Sequence, residues 1–300
     1  MSDADRVRRF LLEPTPVRGH CVHLESSWRQ LLAHTEYPPA VRALLGEAVA
    51  ASALLAATLK FEGVLTLQLQ GDGLVRLLVA QCTHDHAVRG VARFAPEAAD
   101  ADFRALVGSG TLTVTVESND RRTRYQGVVP LDGNSLATAL QAYFARSEQI
   151  PSAVALATDE SRAVGLLVQK IATEGGVASG LDSAATEAVW QRARAGVEAV
   201  DSQHLLGFAP EELVRLAAGG EDVRLFAGHE LRFECRCSAQ RVAGILRALG
   251  PVETRSVLAE QGAVTVTCEF CQRPYRFDAI DVERLFGSAD EMAPGSERLN

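Results

Sequence analysis

Two close cysteine pairs toward the C-terminal end, Cys235-Arg-Cys237 and Cys268-Glu-Phe-Cys271, constrain this chain more than any other feature. Four thiolates at such spacings can converge on one tetrahedral ion, with metal–sulfur bonds of about 2.3 Å and no coordination position left for a substrate. An all-sulfur donor set selects zinc, so one Zn2+ per chain is expected in the reduced form, at a centre that is structural or redox-sensitive and not hydrolytic. Thiolates are also what oxidants attack, and each pair is close enough in sequence to form a local disulfide if the metal is expelled. The segment that carries them is small. Metal can therefore supply much of its stability, since structural zinc contributes on the order of 10–16 kcal/mol of apparent binding free energy in such modules.

The other two of the six cysteines, Cys21 and Cys82, sit singly in apolar surroundings and are expected in the core. Met1 to Arg9 is charged, and no apolar stretch with a small-residue cleavage site follows it, so a reducing cytoplasm is the expected location. A net charge of −8 and a pI near 5.5 count against nucleic acid as a partner, because phosphate binding needs a basic surface. The longest apolar run, Ala40 to Leu59, is rich in alanine and interrupted by Arg42 and Glu47. It reads as a buried helix, and no membrane partner is expected.

Periodicity along the chain indicates an α+β fold: an N-terminal core of antiparallel-rich sheets packed with helices, a helical linker, and a small C-terminal zinc-binding module. Pro38-Pro39 opens a helix to about Lys60. Val64 to Gln70 and Leu74 to Ala80 alternate as a hairpin about Gly71-Asp-Gly73, and Thr111 to Glu117 with Tyr125 to Pro130 form another. A helix from Leu136 to Ser147 and strands at Ala153 to Thr158 and Ala163 to Ile171 complete a core over 1–176. The linker, 177–230, holds two weak helices, Ala184 to Val200 and Pro210 to Ala218, in which Gly196, Gly207, Gly219 and Gly220 each cost about 1 kcal/mol relative to alanine. Its apolar residues, Val189, Trp190, Leu205, Leu206, Phe208, Leu213 and Leu216, must be buried against another surface or remain sticky. Replacing Gly196 by alanine is accordingly expected to stabilise the docked helix. In the module, 231–287, Ser238 caps a helix that Gly250-Pro251 stops, Val264 to Cys268 is a strand, and Asp278 caps a last helix to Phe286. Residues 288–300 read as a flexible tail.

Competing functions find less support. A zinc ribbon for nucleic acid would use Arg236, Arg241, Arg247, Arg255, Arg273 and Arg276, yet Glu234, Glu253, Glu260 and Glu269 are interspersed among them. A thiol oxidoreductase built on Cys268 and Cys271 lacks a thioredoxin-like βαβ context. A hydrolytic metal site from Cys82, His84 and His86, or one from His20 and His23 about Cys21, is weaker still. No nucleophile elbow or phosphate loop occurs, so no enzyme and no catalytic residue is expected. Glu47, Lys60, Asp72, Arg146 and Glu148 are expected to satisfy one another in a buried network rather than to line a binding surface.

The chain resembles the redox-regulated 33 kDa chaperonin family, heat-shock holdases of bacteria, from end to end. The resemblance rests on Phe233-Glu-Cys-Arg-Cys-Ser238, Leu258-Ala-Glu260 and Cys268-Glu-Phe-Cys271 with Tyr275 and Phe277. In the core it rests on Ala57-Thr-Leu-Lys-Phe61, Leu67-Gln-Leu-Gln-Gly-Asp-Gly73, Arg89-Gly-Val-Ala-Arg93, Tyr125-Gln-Gly-Val-Val129 and Tyr143-Phe-Ala-Arg-Ser-Glu-Gln-Ile-Pro151. Leu74 departs from it, standing where the family often has proline. The resemblance implies an ATP-independent chaperone held inactive by zinc on Cys235, Cys237, Cys268 and Cys271. It further implies that oxidation pairs Cys235 with Cys237 and Cys268 with Cys271, releases zinc, unfolds the linker, and yields a homodimer that binds unfolding client proteins.

Overall fold

A hairpin that the arginine-rich N-terminus does not advertise opens the chain: β1 (Arg6–Glu13) and β2 (Val17–Leu24) pair antiparallel from Arg6↔His23 to Leu12↔Val17. The computed structural model describes residues 4–120, 122–171 and 183–287, and contacts divide the chain into two units, 1–234 and 235–300. The expected boundary between 176 and 177 and the expected tail 288–300 lie outside the described residues. After β2 comes α1 (Ser26–Leu32), whose first turn is held by the buried Asp5 carboxylate, which accepts the backbone N–H groups of Glu25, Ser26 and Ser27 at 2.9–3.1 Å.

The long helix α2 (Pro39–Thr58) begins on its proline, a residue with no N–H to leave unpaired. Its length and apolarity would suit a membrane crossing, but thirteen of its residues are buried inside the fold. Small alanine side chains let it contact two sheets at once. Glycines on the facing strands complete the approach: a Cβ at Gly90 would lie 2.9 Å from Val49, and one at Gly165 would lie 2.7 Å from Leu54.

The elements that follow are β3 (Gly63–Gln70), β4 (Val75–Thr83), β5 (Ala87–Phe94), α3 (Phe103–Val107), β6 (Thr111–Ser118), β7 (Arg124–Pro130), α4 (Leu136–Tyr143), β8 (Ser152–Thr158) and β9 (Ala163–Lys170). Both expected hairpins and the last two expected strands are present; β5 and the N-terminal hairpin are additional. The Asp72 carboxylate closes the β3–β4 turn by accepting from the Ser109 backbone N–H at 2.7 Å. The helix expected to reach Ser147 passes after Tyr143 into one π-turn, Phe144–Glu148, ended by left-handed Gln149 before Pro151. Glu148 there accepts from the hydroxyls of Tyr125 and Tyr143 at 3.0 and 2.6 Å. The five charged residues expected to form one network do not do so. Asp72 and Glu148 serve these separate local roles, Lys60 and Arg146 are exposed, and Glu47 lines a cavity beside α4.

Beyond β9, α5 (Ser183–Glu198), α6 (Ser202–Gly207) and α7 (Pro210–Ala218) form a helical cover, followed by β10 (Asp222–Leu225), β11 (His229–Glu230) and β12 (Arg232–Phe233). The first sheet has the order β10-β1-β2-β9-β8, with β11 also paired to β1; the second runs β12-β5-β4-β3-β6-β7. Only β12 on β5 is a parallel pair among these. The cover lies on the first sheet. Val189, Trp190, Ala193, Val197, Leu205, Leu213, Val214, Ala217 and Ala218 are buried with Phe10, Leu12, Val17, Cys21, Val164, Leu166 and Val168 of the strands. Lys170 with Glu187 and Arg8 with Glu211 add ion pairs at its rim. Of the seven linker residues expected to need burial, Leu216 alone stays exposed, at 42%. Gly196 overturns its expectation, because a Cβ there would meet the Leu216 carbonyl oxygen at 2.4 Å. This glycine is where α5 and α7 pack backbone to backbone, so alanine would push them apart.

The second unit contains α8 (Ala239–Leu249), α9 (Pro251–Gln261), β13 (Val264–Thr267), β14 (Pro274–Phe277) and α10 (Ala279–Gly287). Ser238 caps α8 by accepting from the Arg241 N–H at 3.2 Å, and Asp278 accepts from Asp281 N–H at 2.9 Å. Gly250-Pro251 does stop α8, but Pro251 is also the first residue of α9, a helix the sequence pattern did not suggest. Among the described residues, the buried apolar cluster of this unit is Val242, Ala243, Leu246, Val264, Phe277 and Val282, and Ala263 and Thr254 are buried as well.

Candidate functional site

Cys235 and Cys237 occupy the extended stretch that enters Ser238, and Cys268 to Cys271 form the turn joining β13 to β14. That turn is shaped by its backbone: the Gln272 N–H donates to the Cys268 carbonyl at 2.8 Å, the Cys268 N–H donates to the Arg273 carbonyl at 3.0 Å, and Gln272 is left-handed at φ 52°. The result points both cysteines of the turn toward the other pair. All four Sγ atoms lie within 4.8 Å of one another, with Cys235–Cys268 at 3.6 Å and Cys237–Cys271 at 3.4 Å.

These separations suit a metal. A tetrahedron with metal–sulfur bonds of about 2.3 Å has edges of about 3.8 Å, whereas a disulfide needs about 2.05 Å. The six cysteines are free thiols, and the four of the cluster are half-buried. Burial opposes ionisation throughout: it raises Cys235 and pushes Cys271 up to about 12. At Cys237 burial is outweighed by hydrogen bonds, above all from the Tyr275 hydroxyl at 3.0 Å, and the thiol is held at about 7. Four thiolates crowded together need a dication to ionise at once, which is the electrostatic case for zinc here. Tyr275 is a supporting partner of the cluster; it stands in the sequence as a motif residue, but nothing in the pattern signals its hydroxyl's target.

Among the described residues, neither of the other two candidate ligand sets converges within metal-binding distance. Cys82 is fully buried in the main core, where burial and then the nearby Asp85 push its thiol up to about 12. The strand ends at Thr83, so His84 and His86 fall on a turn instead of continuing one face with Cys82. Cys21 is buried beneath the helical cover. In the module, Arg255 is bound by both oxygens of Glu283 at 2.9 Å, and Arg241 and Arg247 donate to the carbonyls of Arg236 and Leu285. Arginines spent internally are not a phosphate-binding row.

A family model described as Hsp33 protein matches residues 5–278. A relative named 33 kDa chaperonin from Methylobacillus flagellatus is 41% identical over 298 residues, 99% of each chain. One of the same name from Pseudomonas aeruginosa is 40% identical over 301 residues, covering 99% of this chain and all of its own. The crystal structure of a 33 kDa chaperonin, heat shock protein 33 homolog, from Thermotoga maritima superposes with a TM-score of 0.78 at 23% identity, covering 96% of this chain and 99% of that one. The fold is thus that of a solved chaperonin of this name, and the chain belongs to the Hsp33 family.

Proposed function

We propose that this protein is a redox-regulated, ATP-independent holdase that binds unfolding proteins and keeps them from aggregating under oxidative stress. The observation that carries this is the convergence of four free cysteine sulfurs within 4.8 Å in a unit whose buried apolar cluster, among the described residues, has six members. Cys235, Cys237, Cys268 and Cys271 would hold one zinc ion, which when bound neutralises four thiolates and cross-links the unit. The cluster is half-buried, so small oxidants reach the sulfurs.

Oxidation balances as two separate couplings. A thiolate attacks peroxide, taking one oxygen as a sulfenic acid and releasing hydroxide; a second thiol displaces water to form the disulfide. Each disulfide consumes one peroxide and two thiols and yields two waters. The family resemblance assigns the pairs as Cys235–Cys237 and Cys268–Cys271. Oxidised sulfurs no longer hold the ion, and the unit loses its cross-link.

The covering helices α5 to α7 are the element we assign to the second half of the switch. They hide one apolar face of the first sheet, and their own apolar residues with it. Release of this cover exposes a surface that binds unfolded chains without regard to sequence, and provides contacts for an oxidised homodimer. The protein would act in a reducing cytoplasm, where the resting state is zinc-bound.

Light scattering from a thermally unfolding client tests this directly. The zinc-loaded reduced protein should leave aggregation unchanged, and the same preparation after peroxide at elevated temperature should suppress it. Equal behaviour of the two preparations would refute redox control.

A further inference from the structure

A cavity of about 820 Å³ is lined entirely by residues of the first unit. Its floor is the end of α2 with β1 and β2, and its roof is the strap from Phe226 to His229 that runs between β10 and β11. Two cations line it, Arg9 and Lys60, and among the described residues neither has a carboxylate partner within ion-pair distance. The exposed Arg9 guanidinium lies 5.5 Å from the centroid of the Phe226 ring. Glu62 is the single carboxylate in the lining.

Imidazoles make up much of the rest. His20 is 2% exposed and lies opposite Arg9 across the β1–β2 pair. Burial, with Arg18 and Arg9 nearby, lowers it to about 3, so it is neutral, and the Ala57 carbonyl takes its one N–H. Its Nδ1 is therefore a bare acceptor, buried and without a partner, and the Nδ1 of His86 is buried and unpartnered as well. The His86 ring stacks on His229 of the strap with centroids 4.7 Å apart.

We infer that this cavity binds a small organic phosphate: a phosphomonoester of a ring compound bearing hydroxyl or amino groups, of nucleotide or sugar-phosphate size. Arg9 and Lys60 supply the fork and the point charge that a phosphate dianion needs. The unpartnered Nδ1 atoms of His20 and His86 call for a hydrogen-bonding group, which the ligand's hydroxyl or amino groups provide. The volume falls in the range of about 300–1,000 Å³ typical of sites for organic ligands, and Phe61 and Phe226 offer ring faces. A dication is the poorer match, because the unpaired cations oppose it and no three histidine ring nitrogens among the described residues come within 4.8 Å of one another.

Such a ligand touches both the core and the strap, so its binding opposes release of the strap. At ten times its dissociation constant, a ligand bound only to the closed form lowers the open fraction about elevenfold. This consequence alone rests on the chaperone reading; the binding does not.

Titration calorimetry on the reduced, zinc-loaded full chain with AMP, phenyl phosphate and inorganic phosphate tests the site. AMP should saturate at micromolar to low millimolar concentration, phenyl phosphate should bind more weakly, and inorganic phosphate at least tenfold more weakly than AMP. Arg9→Gln and Lys60→Gln, both exposed and so safe for folding, should each weaken AMP about tenfold. The site is overturned if none of the three saturates, if both variants bind AMP as the parent does, or if inorganic phosphate matches AMP. It is also overturned if Ni2+ saturates the cavity histidines without competition from AMP. Saturating AMP should raise the peroxide dose needed for suppression of client aggregation; an unchanged dose with AMP bound removes the strap coupling. The client assay without AMP reports on the chaperone function separately.

Discussion

The helix α2 and the helical cover α5 to α7 both bury apolar residues against the first sheet, yet they are built to different ends. Helix α2 is enclosed between two sheets, carries thirteen buried residues, and has glycines of the opposing strands shaped to it. The cover touches the sheet on one side only and leaves charged residues such as Arg194, Glu198 and Arg215 outward. Enclosure makes a helix inseparable from the global fold. One-sided docking is what the proposed switch needs, since a cover of this kind would open before the core unfolds.

The largest expected effect separates the two units. Cys268→Ser, or stripping zinc with a chelator, should unfold the second unit, with loss of most of the 10–16 kcal/mol that structural zinc provides to such modules, roughly stated. Proteolysis should then cut within 235–287 while α2 keeps its hydrogen-exchange protection. Loss of protection in α2 as well would show that the units are not independent in this respect.

Next come matched truncations in the two helical regions. Leu54→Ala and Trp190→Ala each remove a large buried side chain, a change that costs about 2–5 kcal/mol in a core that cannot relax. Leu54→Ala should lower the global denaturation midpoint by that amount. Trp190→Ala should lower it less, and instead abolish exchange protection across 183–218 and reduce the peroxide dose for activation. Equal shifts of the global midpoint would make the cover part of the core.

Smaller effects distinguish two glycines of the cover. Gly196→Ala should loosen it by about 1–3 kcal/mol through overpacking against α7. Gly207→Ala, where nothing lies within 4 Å of the added Cβ, should tighten it by about 0.4–1 kcal/mol. The two activation doses should move in opposite directions.

A last contrast is a pH dependence. Burial raises Glu47 from 4.5 to about 7, and its cavity is bounded by Val197 and Leu205 of the cover as well as by α4. The folded state therefore holds this proton more tightly than the unfolded chain. The associated stability is complete below pH 4.5 and is lost as pH rises through about 7. Glu47→Gln should flatten that part of the stability profile measured by denaturant titration. A profile unchanged by the substitution would place the carboxylate in water.

The cysteine cluster was legible because each pair is marked by its own short spacing: Cys235, Cys237, Cys268 and Cys271 could be grouped without knowing any long-range contact. The hairpin about Gly71 to Gly73 and helix α2 were legible for the same reason, through alternation and uninterrupted apolarity. What escaped depended on partners distant in sequence. Strand β1 carries Arg6, Arg8 and Arg9 among its apolar positions, so its pattern is diluted until β2, β10 and β11 are seen beside it. Helix α9 shows little apolar periodicity, since Val252 is exposed and Thr254 is its buried residue, with its hydroxyl bonded back to the Gly250 carbonyl. Gly196 was read by intrinsic propensity, whereas its role is set by a carbonyl in a different helix. The five charged residues carry no signal of distance, and each proved to have its own surroundings.

The stretch 222–233, which contains the strap and the strands β10, β11 and β12, does something else that burial alone does not express. Strands β10 and β11 complete the hydrogen bonding of β1, and β12 completes that of β5, immediately before Cys235. One short stretch therefore seals a border of each sheet. Were it to lift, rows of main-chain N–H and C=O groups would lie open on both, and an unpaired border accepts any extended peptide, since the groups that pair are the same in every residue but proline. Recognition by main chain in this way is indifferent to a partner's side chains, as the proposed holdase role requires.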